Sequence, residues 1–361
     1  MTKRALNSSD PAALLPGLPR GAEILIIRLR SVGDLVLLTP AISAIHSWRP
    51  DLRVSVLVEP GCAAVLEGNP AVHEILLARS FFSTAMSLYR RNFPAVYNQH
   101  GGPTSAFLTA ASGAKKRVCW KGRQFGFLYN VHAPDAVEFY GTLQVHSVEQ
   151  RMTQFYWTGL PRGPIPRSEV FPQADARASV AKKLLDHGIS AAEPYAVMQP
   201  GARDSTKQWP LENFAATSQW LWKSHGLRSV VNVGPGEQQM AKVAAAQFGD
   251  SEVVLDSLDL RELIALIAGA KIFVGNDTGP SHLAAAANIP AVVIFGPTNS
   301  THWRPWHADH RVVQNVSDPK GIASLTPDQV REACESLLAA HPFGLGADDR
   351  AVAEIPGIET V

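Results

Sequence analysis

The stretch Lys271 to Thr298, KIFVGNDTGPSHLAAAANIPAVVIFGPT, constrains the fold more than any other. Ile272 to Val274 reads as a buried strand, Gly-Asn-Asp-Thr-Gly as a turn, and the Ala-rich run as a short helix; Ala291 to Phe295 is a second buried strand, stopped by Gly296-Pro297. That is one βαβ unit, and its turn lies outside the carboxyl end of a strand, where open α/β sheets bind ligands. Gly279 lets the backbone come close to a ligand. Asp277, Thr278 and Ser281 place oxygens around a helix N-terminus whose free N–H groups attract anions. The turn therefore suits a phosphate-bearing ligand. Asp277 or Thr278 would equally serve as a plain helix cap, and His282 as a packed core histidine or a donor to phosphate. The turn alone does not separate these roles.

The rest of the chain repeats the same alternation. Glu23 to Leu29 is a continuous apolar run of the kind found in strands covered on both faces. The loop RSVGD follows, then a helix from Leu35 to Trp48 with Pro40 as a kink or restart, then a strand over Arg53 to Val58. Further strands are expected at Glu74 to Leu77, Ala95 to Asn98 and Arg117 to Trp120. After a helical stretch from His146 to Leu160, the proline-rich PRGPIPRSEVFPQ reads as a linker, and αβ alternation then resumes up to a last helix over Thr326 to Ala340. That last helix could pack back across the hinge. The expectation is an α/β protein of two doubly wound, Rossmann-like halves facing a central cleft. Residues 21–165 and 174–342 form the two domains, and 1–20 and 343–361 are expected to be loose tails.

The chain has 361 residues, which fits two domains, and a net charge of +1, which argues against a strongly basic duplex-binding protein. Cys62, Cys119 and Cys334 are odd in number and lack metal-ligand spacing, so neither a disulfide framework nor a metal site is expected. No apolar run approaches the roughly 20 residues of a membrane-spanning helix. The N-terminal twenty residues carry three prolines and no apolar core, unlike a signal peptide. A cytoplasmic protein, at most resting on a membrane, is the resulting expectation.

Three further loops carry candidate chemistry. Asp34 lies in a Gly-containing turn after the first strand, placed to act as a general base or to cap the next helix. In QPGARDSTKQWP, from Gln199 to Pro210, Lys207 could neutralise a departing diphosphate, with Arg203 and Thr206 as lesser helpers. In VGPGE, Glu237 is placed to accept hydrogen bonds from a ribose diol or to favour a helix N-terminus. Lys207, Glu237 and Asp277 should converge at one edge of one sheet, and that convergence points to ligand binding. No dinucleotide fingerprint, P-loop or nucleophile elbow is present, which disfavours an NAD oxidoreductase. The basic cluster Gly113 to Arg123 reads as a solvated face, or as an anion-binding rim for an acidic acceptor.

Taken together, Ser31-Val32-Gly33-Asp34, Pro200-Gly201 through Lys207-Gln208-Trp209-Pro210, Gly234-Pro235-Gly236-Glu237 and Asp277-Thr278-Gly279-Pro280-Ser281-His282 resemble the ADP-heptose:lipopolysaccharide heptosyltransferases, glycosyltransferase family nine. The resemblance runs in order from about Glu23 to about Trp306. It implies a GT-B fold, with an N-terminal acceptor domain and a C-terminal nucleotide-sugar domain. It also implies an inverting, metal-independent transfer of heptose from an ADP-activated donor to the lipopolysaccharide inner core, at the cytoplasmic face of the inner membrane and without a cofactor. By the same resemblance Asp34 matches the catalytic base, Lys207 the lysine at the donor phosphates, Glu237 the acid at the ribose and Asp277 the acid near the donor sugar. Thr278, Gly279 and His282 fall on the diphosphate loop. Ala202 and Arg203 stand where some family members carry small hydroxyl residues. Arg28, Arg30 and the Lys115 to Arg123 cluster are candidates for an anionic glycolipid acceptor. A sugar-nucleotide epimerase of GT-B shape and a non-catalytic sugar-nucleotide or glycan-binding protein are the alternative readings.

Overall fold

A computed structural model describes residues 10–341 apart from 235, 250 and 251. Six parallel strands form the N-terminal sheet: β1 (Glu23–Ile27), β2 (Arg53–Val58), β3 (Glu74–Leu77), β4 (Ala95–Asn98), β5 (Lys116–Trp120) and β6 (Val131–Ala133), in the order β3-β2-β1-β4-β5-β6. The C-terminal sheet contains β7 (Tyr195–Gln199), β8 (Arg228–Asn232), β9 (Glu252–Leu255), β10 (Ile272–Asn276), β11 (Ala291–Phe295) and β12 (His310–Gln314), in the order β12-β11-β10-β7-β8-β9. Counted from its own first strand, each sheet has the order 3-2-1-4-5-6, the doubly wound arrangement with a crevice where the order reverses. Those crevices lie between β1 and β4 and between β7 and β10.

The apolar runs are continuous because both sheet faces are covered. In β1, Ile24 and Ile26 point to one core, with Val54, Val56 and Tyr97, while Leu25 and Ile27 point to another, with Leu57, Leu88 and Leu108. Period-2 alternation thus splits one apolar run between two layers of helices.

Some expectations change. The first helix starts at Val32 and ends at Val36, and a second runs Thr39–Trp48 with Pro40 in its first turn, so Pro40 marks a restart. Strands β6 and β12 were not expected. Both lie at sheet edges; β6 has only three residues, and β12 (HRVVQ) starts and ends on polar residues and exposes Arg311, which blunts the apolar signal. The last helix, Pro327–Ala340, packs on helix Leu211–His225 and on β11 and β12 inside the C-terminal half, not across the hinge. Within the expected N-terminal tail, Pro11–Ala13 forms a 3₁₀ turn and Leu15 is fully buried, so residues 10–20 are packed. Residues 1–9 and 342–361 lie outside the described residues. The proline-rich stretch from 161 to 173 has no regular structure. It is held to the second half where Trp306 Nε1 donates to the Pro166 carbonyl at 2.9 Å.

Candidate active site

On the N-terminal side, Asp34 is the third residue of helix Val32–Val36. One carboxylate oxygen accepts from Ser31 Oγ at 3.0 Å and from the Ser31 N–H at 3.4 Å, so the capping role is real. That role does not exhaust the group. Arg28 Nη2 contacts one carboxylate oxygen and Arg151 Nη2 the other. Arg151, on helix Ser147–Trp157, also donates from Nε to the Asp34 carbonyl at 3.3 Å and from Nη1 to the Ser147 carbonyl at 2.9 Å. Arg28 Nη1 reaches the Gln99 carbonyl beyond β4, so this pair of charges bridges the crevice between β1 and β4. Burial alone would raise the Asp34 pKa, but Arg151 and Arg28 outweigh it and hold the carboxyl at about 2. Burial and the neighbouring Arg28 bring Arg151 down to about 10 in spite of Asp34. Both remain charged at neutral pH.

The C-terminal side repeats the idea with the signs reversed. Asp204 Oδ1 accepts from the Thr206 N–H (2.9 Å) and hydroxyl (2.7 Å), forming the turn Ser205–Lys207. The Thr206 carbonyl lies so close to Gly296 that a Cβ there would sit 2.4 Å away, which explains why a glycine ends β11. Asn276 closes the other side: its Nδ2 donates to the Pro200 carbonyl at 2.7 Å and its Oδ1 accepts from the Trp209 N–H at 3.2 Å. This loop, pinned at both ends, brings Lys207 Nζ to within 2.7 Å of Asp277 Oδ2 across the crevice between β7 and β10. Asp277 is therefore the partner of Lys207 and does not cap the following helix. Ser281 Oγ bonds back to the Thr278 carbonyl at 2.7 Å, and Thr278 Oγ1 to the Asn276 carbonyl at 3.3 Å.

Beside this pair lies a cavity of about 540 Å³ lined by Gln199, Gly201, Arg203, Glu237, Thr278 and Pro280 among others. Its size falls within the roughly 300–1,000 Å³ of small-molecule sites. Glu237 Oε2 accepts from the Gly234 N–H at 2.9 Å and stands over Gly201, where a Cβ would come within 2.3 Å of it. A side chain at position 201 would push that carboxylate away from its place over the loop.

The two halves meet at their motifs. A Cβ on Gly33 would lie 2.8 Å from His282 Cδ2, and one on Gly279 would lie 3.2 Å from Val32 Cβ. Neither glycine has positive φ, so close approach, not backbone conformation, is what these positions need. His282 is buried in this seam. Burial lowers its pKa to about 4, although Asp277 and Asp34 pull the other way, and the ring is neutral at neutral pH. Its Nδ1 has no protein hydrogen-bond partner among the described residues.

Asp34, Asp277, Thr278, Gly279, Ser281 and His282 thus gather along one seam, with Lys207 bonded to Asp277 and Glu237 across the adjoining cavity. Arg28 is taken up by Asp34, so it is not a free acceptor contact. Arg30 points outward, 4.0 Å from Glu59. Of the basic cluster, Arg123 alone comes near the seam, against Gly101 and close enough to bear on Arg28. Sequence reasoning missed Arg151. Its signal is a charge on the buried stripe of a helix, between Val148, Met152 and Phe155, where an arginine must have a partner.

Two doubly wound halves with polar strand-end loops facing each other across a seam define a protein of GT-B architecture. The sequence profile of "Glycosyltransferase family 9 (heptosyltransferase)" matches residues 81–328, and the chain belongs to that family. It is 26% identical over 295 residues to lipopolysaccharide heptosyltransferase 3 of Escherichia coli, covering 77% of this chain and 84% of that one. To lipopolysaccharide heptosyltransferase 1 of Escherichia coli K12 it is 27% identical over 300 residues, covering 77% and 88%. A family 9 glycosyltransferase from Veillonella parvula superposes with a TM-score of 0.81 at 19% identity, covering 91% and 99% of the two chains. An Escherichia coli heptosyltransferase with ADP gives 0.71 at 23%, covering 87% and 99%. The solved structures show the same fold.

Proposed function

We propose that this glycosyltransferase moves heptose, with inversion, from ADP-heptose to an inner-core sugar of lipopolysaccharide at the cytoplasmic face of the inner membrane. Residues 21–165 receive the acceptor and 174–342 the donor. Support comes from the relatives, which are lipopolysaccharide heptosyltransferases. A solved relative is described with ADP-2-deoxy-2-fluoro heptose. The observation that carries the reading is the seating of the Ser31–Asp34 turn of one half against the Gly279–His282 turn of the other, so that a carboxylate and an ammonium belong to one seam.

In this mechanism an acceptor hydroxyl attacks the anomeric carbon of the donor. The new C–O bond forms as the bond to the diphosphate breaks, and the hydroxyl proton passes to Asp34. A carboxylate held near pKa 2 is a weak base toward a free hydroxyl. It suffices when the proton leaves late, after bond formation has made that hydroxyl strongly acidic. The arginines keep Asp34 ionised and aimed. Lys207, steadied by Asp277, meets the charge that builds on the departing diphosphate, aided by the N–H groups at the start of helix Gly279–Ala286. Glu237 takes the ribose hydroxyls, while Thr278 and Ser281 line the diphosphate loop. His282, neutral and buried, is a donor to a phosphate oxygen.

Calorimetric titration with ADP, GDP, UDP and their sugar conjugates tests the donor side. Selective ADP binding weakened by Glu237→Ala or Asp277→Ala is the expected outcome, and preference for another nucleotide would sink the ADP-heptose assignment. Product analysis with and without acceptor separates transfer from epimerisation, since an epimerase needs no second sugar.

A further inference from the structure

Between Glu74 and Asp135 the chain contains no Asp or Glu, although it carries eight Lys and Arg residues in a protein of net charge +1. Arg91 pairs with Glu74 and Glu23, and Lys121 with Glu138. The other six, Arg79, Arg90, Lys115, Lys116, Arg117 and Arg123, have no carboxylate partner among the ion pairs of the described residues. Half of the large hydrophobic side chains exposed among the described residues fall in the same segment. These are two independent departures from an ordinary soluble surface, and they coincide.

The fold places them together. Helices Phe81–Arg91 and Pro103–Ala111 lie side by side over one face of the N-terminal sheet, where Leu88 and Leu108 share a core. Their outer sides carry Phe82 (84% exposed), Met86, Tyr89 and Phe107. Tyr89 reaches across to Gly113, just past the second helix, and the rings of Phe107, Phe125 and Phe127 follow one another at 5.2 and 6.4 Å. Phe127 is 80% exposed. Arg90 follows Tyr89 in the chain, Lys115 and Lys116 come just after Gly113, which Tyr89 contacts, and Arg123 reaches Gly101 and bears on Arg28 beside Asp34.

We propose that this face docks on an anionic lipid bilayer, with the aromatic and Met side chains entering the headgroup boundary and the lysines and arginines meeting the lipid phosphates. A patch of apolar side chains marks an interaction surface, and aromatic rings within a cationic rim suit a wet, negatively charged interface. The complete lack of acidic residues over this segment, unneeded for solubility, favours an anionic surface over a neutral protein partner. Among the described residues no helix is long and apolar enough to cross a membrane, so contact would be made from one side. The inference rests on the proposed function only in that a membrane-anchored acceptor would then enter beside Arg123 and Asp34.

The test is co-sedimentation of the full chain with phosphatidylglycerol-rich vesicles and with neutral phosphatidylcholine vesicles. Preferential binding to the anionic vesicles, weakened by salt, is expected. Lys115→Glu/Lys116→Glu and Phe82→Ser/Phe127→Ser should each lower partition by roughly tenfold or more, consistent with several-fold per basic residue. Their transfer rates on a short water-soluble acceptor should match the parent, and circular dichroism checks that they fold. Equal binding to both vesicle types, no binding at all, or variants that change the oligomeric state instead of partition would overturn the docking face. Vesicle binding without any sugar transfer would count against the proposed function and leave the docking face intact.

Discussion

Both halves of the molecule carry a charge pair across the crevice of a 3-2-1-4-5-6 sheet, yet the pairs have opposite logic. Under the proposed mechanism the acid of the N-terminal half is the working group and the cations support it. Asp34 faces Arg28 and Arg151, and Arg151 is almost wholly buried. In the C-terminal half the same mechanism makes the cation the working group and the acid its support. Lys207 keeps 29% of its side chain exposed while its partner Asp277 keeps 5%. The same topology has thus been fitted with a rigid, permanently ionised carboxylate on one side and an ammonium able to turn toward a ligand on the other. The proposed transfer uses this asymmetry, with a base fixed before attack and a counter-charge that follows the leaving group.

The sharpest way to break the comparison is at Asp34. Asp34→Ala should reduce turnover by a factor on the order of 10³ or more while donor affinity stays near the parent's. It also strands Arg151 and Arg28, and leaving one member of a buried pair uncompensated costs roughly 3–5 kcal/mol. Adding Arg151→Met should therefore restore part of the thermal stability, Arg28 still lacking its partner, without restoring turnover. Rescue of both together would mean that Asp34 acts only through folding, and loss of donor binding would place it on the nucleotide side.

On the other half, Lys207→Ala should lower kcat by roughly 10²-fold and weaken donor binding, a loss of about 3 kcal/mol of transition-state stabilisation. A smaller stability loss than at Asp34 is expected, since Asp277 (5% exposed) is left without its partner but only one buried charge is stranded, against two arginines on the other side. Unchanged kinetics would remove Lys207 from the reaction. Equal destabilisation of the Lys207 and Asp34 variants, read by thermal melts, would erase the difference between the halves.

Arg151→Met alone sharpens the comparison through pH. In the parent, the Asp34 pKa is depressed to about 2, so the carboxylate is already ionised well below neutral pH and its contribution is lost only as pH falls through that value. No acid limb belonging to Asp34 should appear in kcat/KM at pH 5 to 8. With Arg151 gone, burial acts against one arginine instead of two and the pKa rises. The acid limb should then move upward, with a fall in kcat of roughly tenfold as the carboxylate loses its aim. Arg151→Lys keeps the charge but not the fork, and should fall between the two. An unmoved pH profile in Arg151→Met would make Arg151 purely structural.

Legibility in the sequence differed between the halves for a related reason. Lys207, Asp277 and the Gly279–His282 turn lie on loops that directly follow apolar strands, so chain order alone brings them to one sheet edge. Asp34 was visible on the same grounds. Its partner Arg151 was not, because it comes from a helix more than a hundred residues away and only packing brings it there. Strands β6 (VHA) and β12 (HRVVQ) were missed because one is three residues long with a central histidine and the other holds only two apolar residues between polar ones. The tail from 10 to 20 was misjudged because Leu14 and Leu15 sit among prolines that read as disorder but fold back onto Thr158, whose carbonyl accepts from the Leu15 N–H at 2.9 Å.

The smallest expected effect lies where the halves touch. Gly33→Ala puts a Cβ 2.8 Å from His282 Cδ2, and the imidazole is buried with little room to retreat. Gly279→Ala places its nearest contact at 3.2 Å, on a Val32 side chain that is only partly buried. Overpacking of this kind costs about 1–3 kcal/mol. The first change belongs at the upper end of that range and the second at the lower. Because both contacts cross between domains, the strain can also be relieved by parting the halves, at the expense of the distance between Asp34 and the donor. Gly33→Ala should therefore lower kcat more than it lowers the melting temperature of either half, and scattering should show a more open particle. A variant that melts earlier but turns over normally would mean that the glycines serve packing alone and that the seam does not set the reacting geometry.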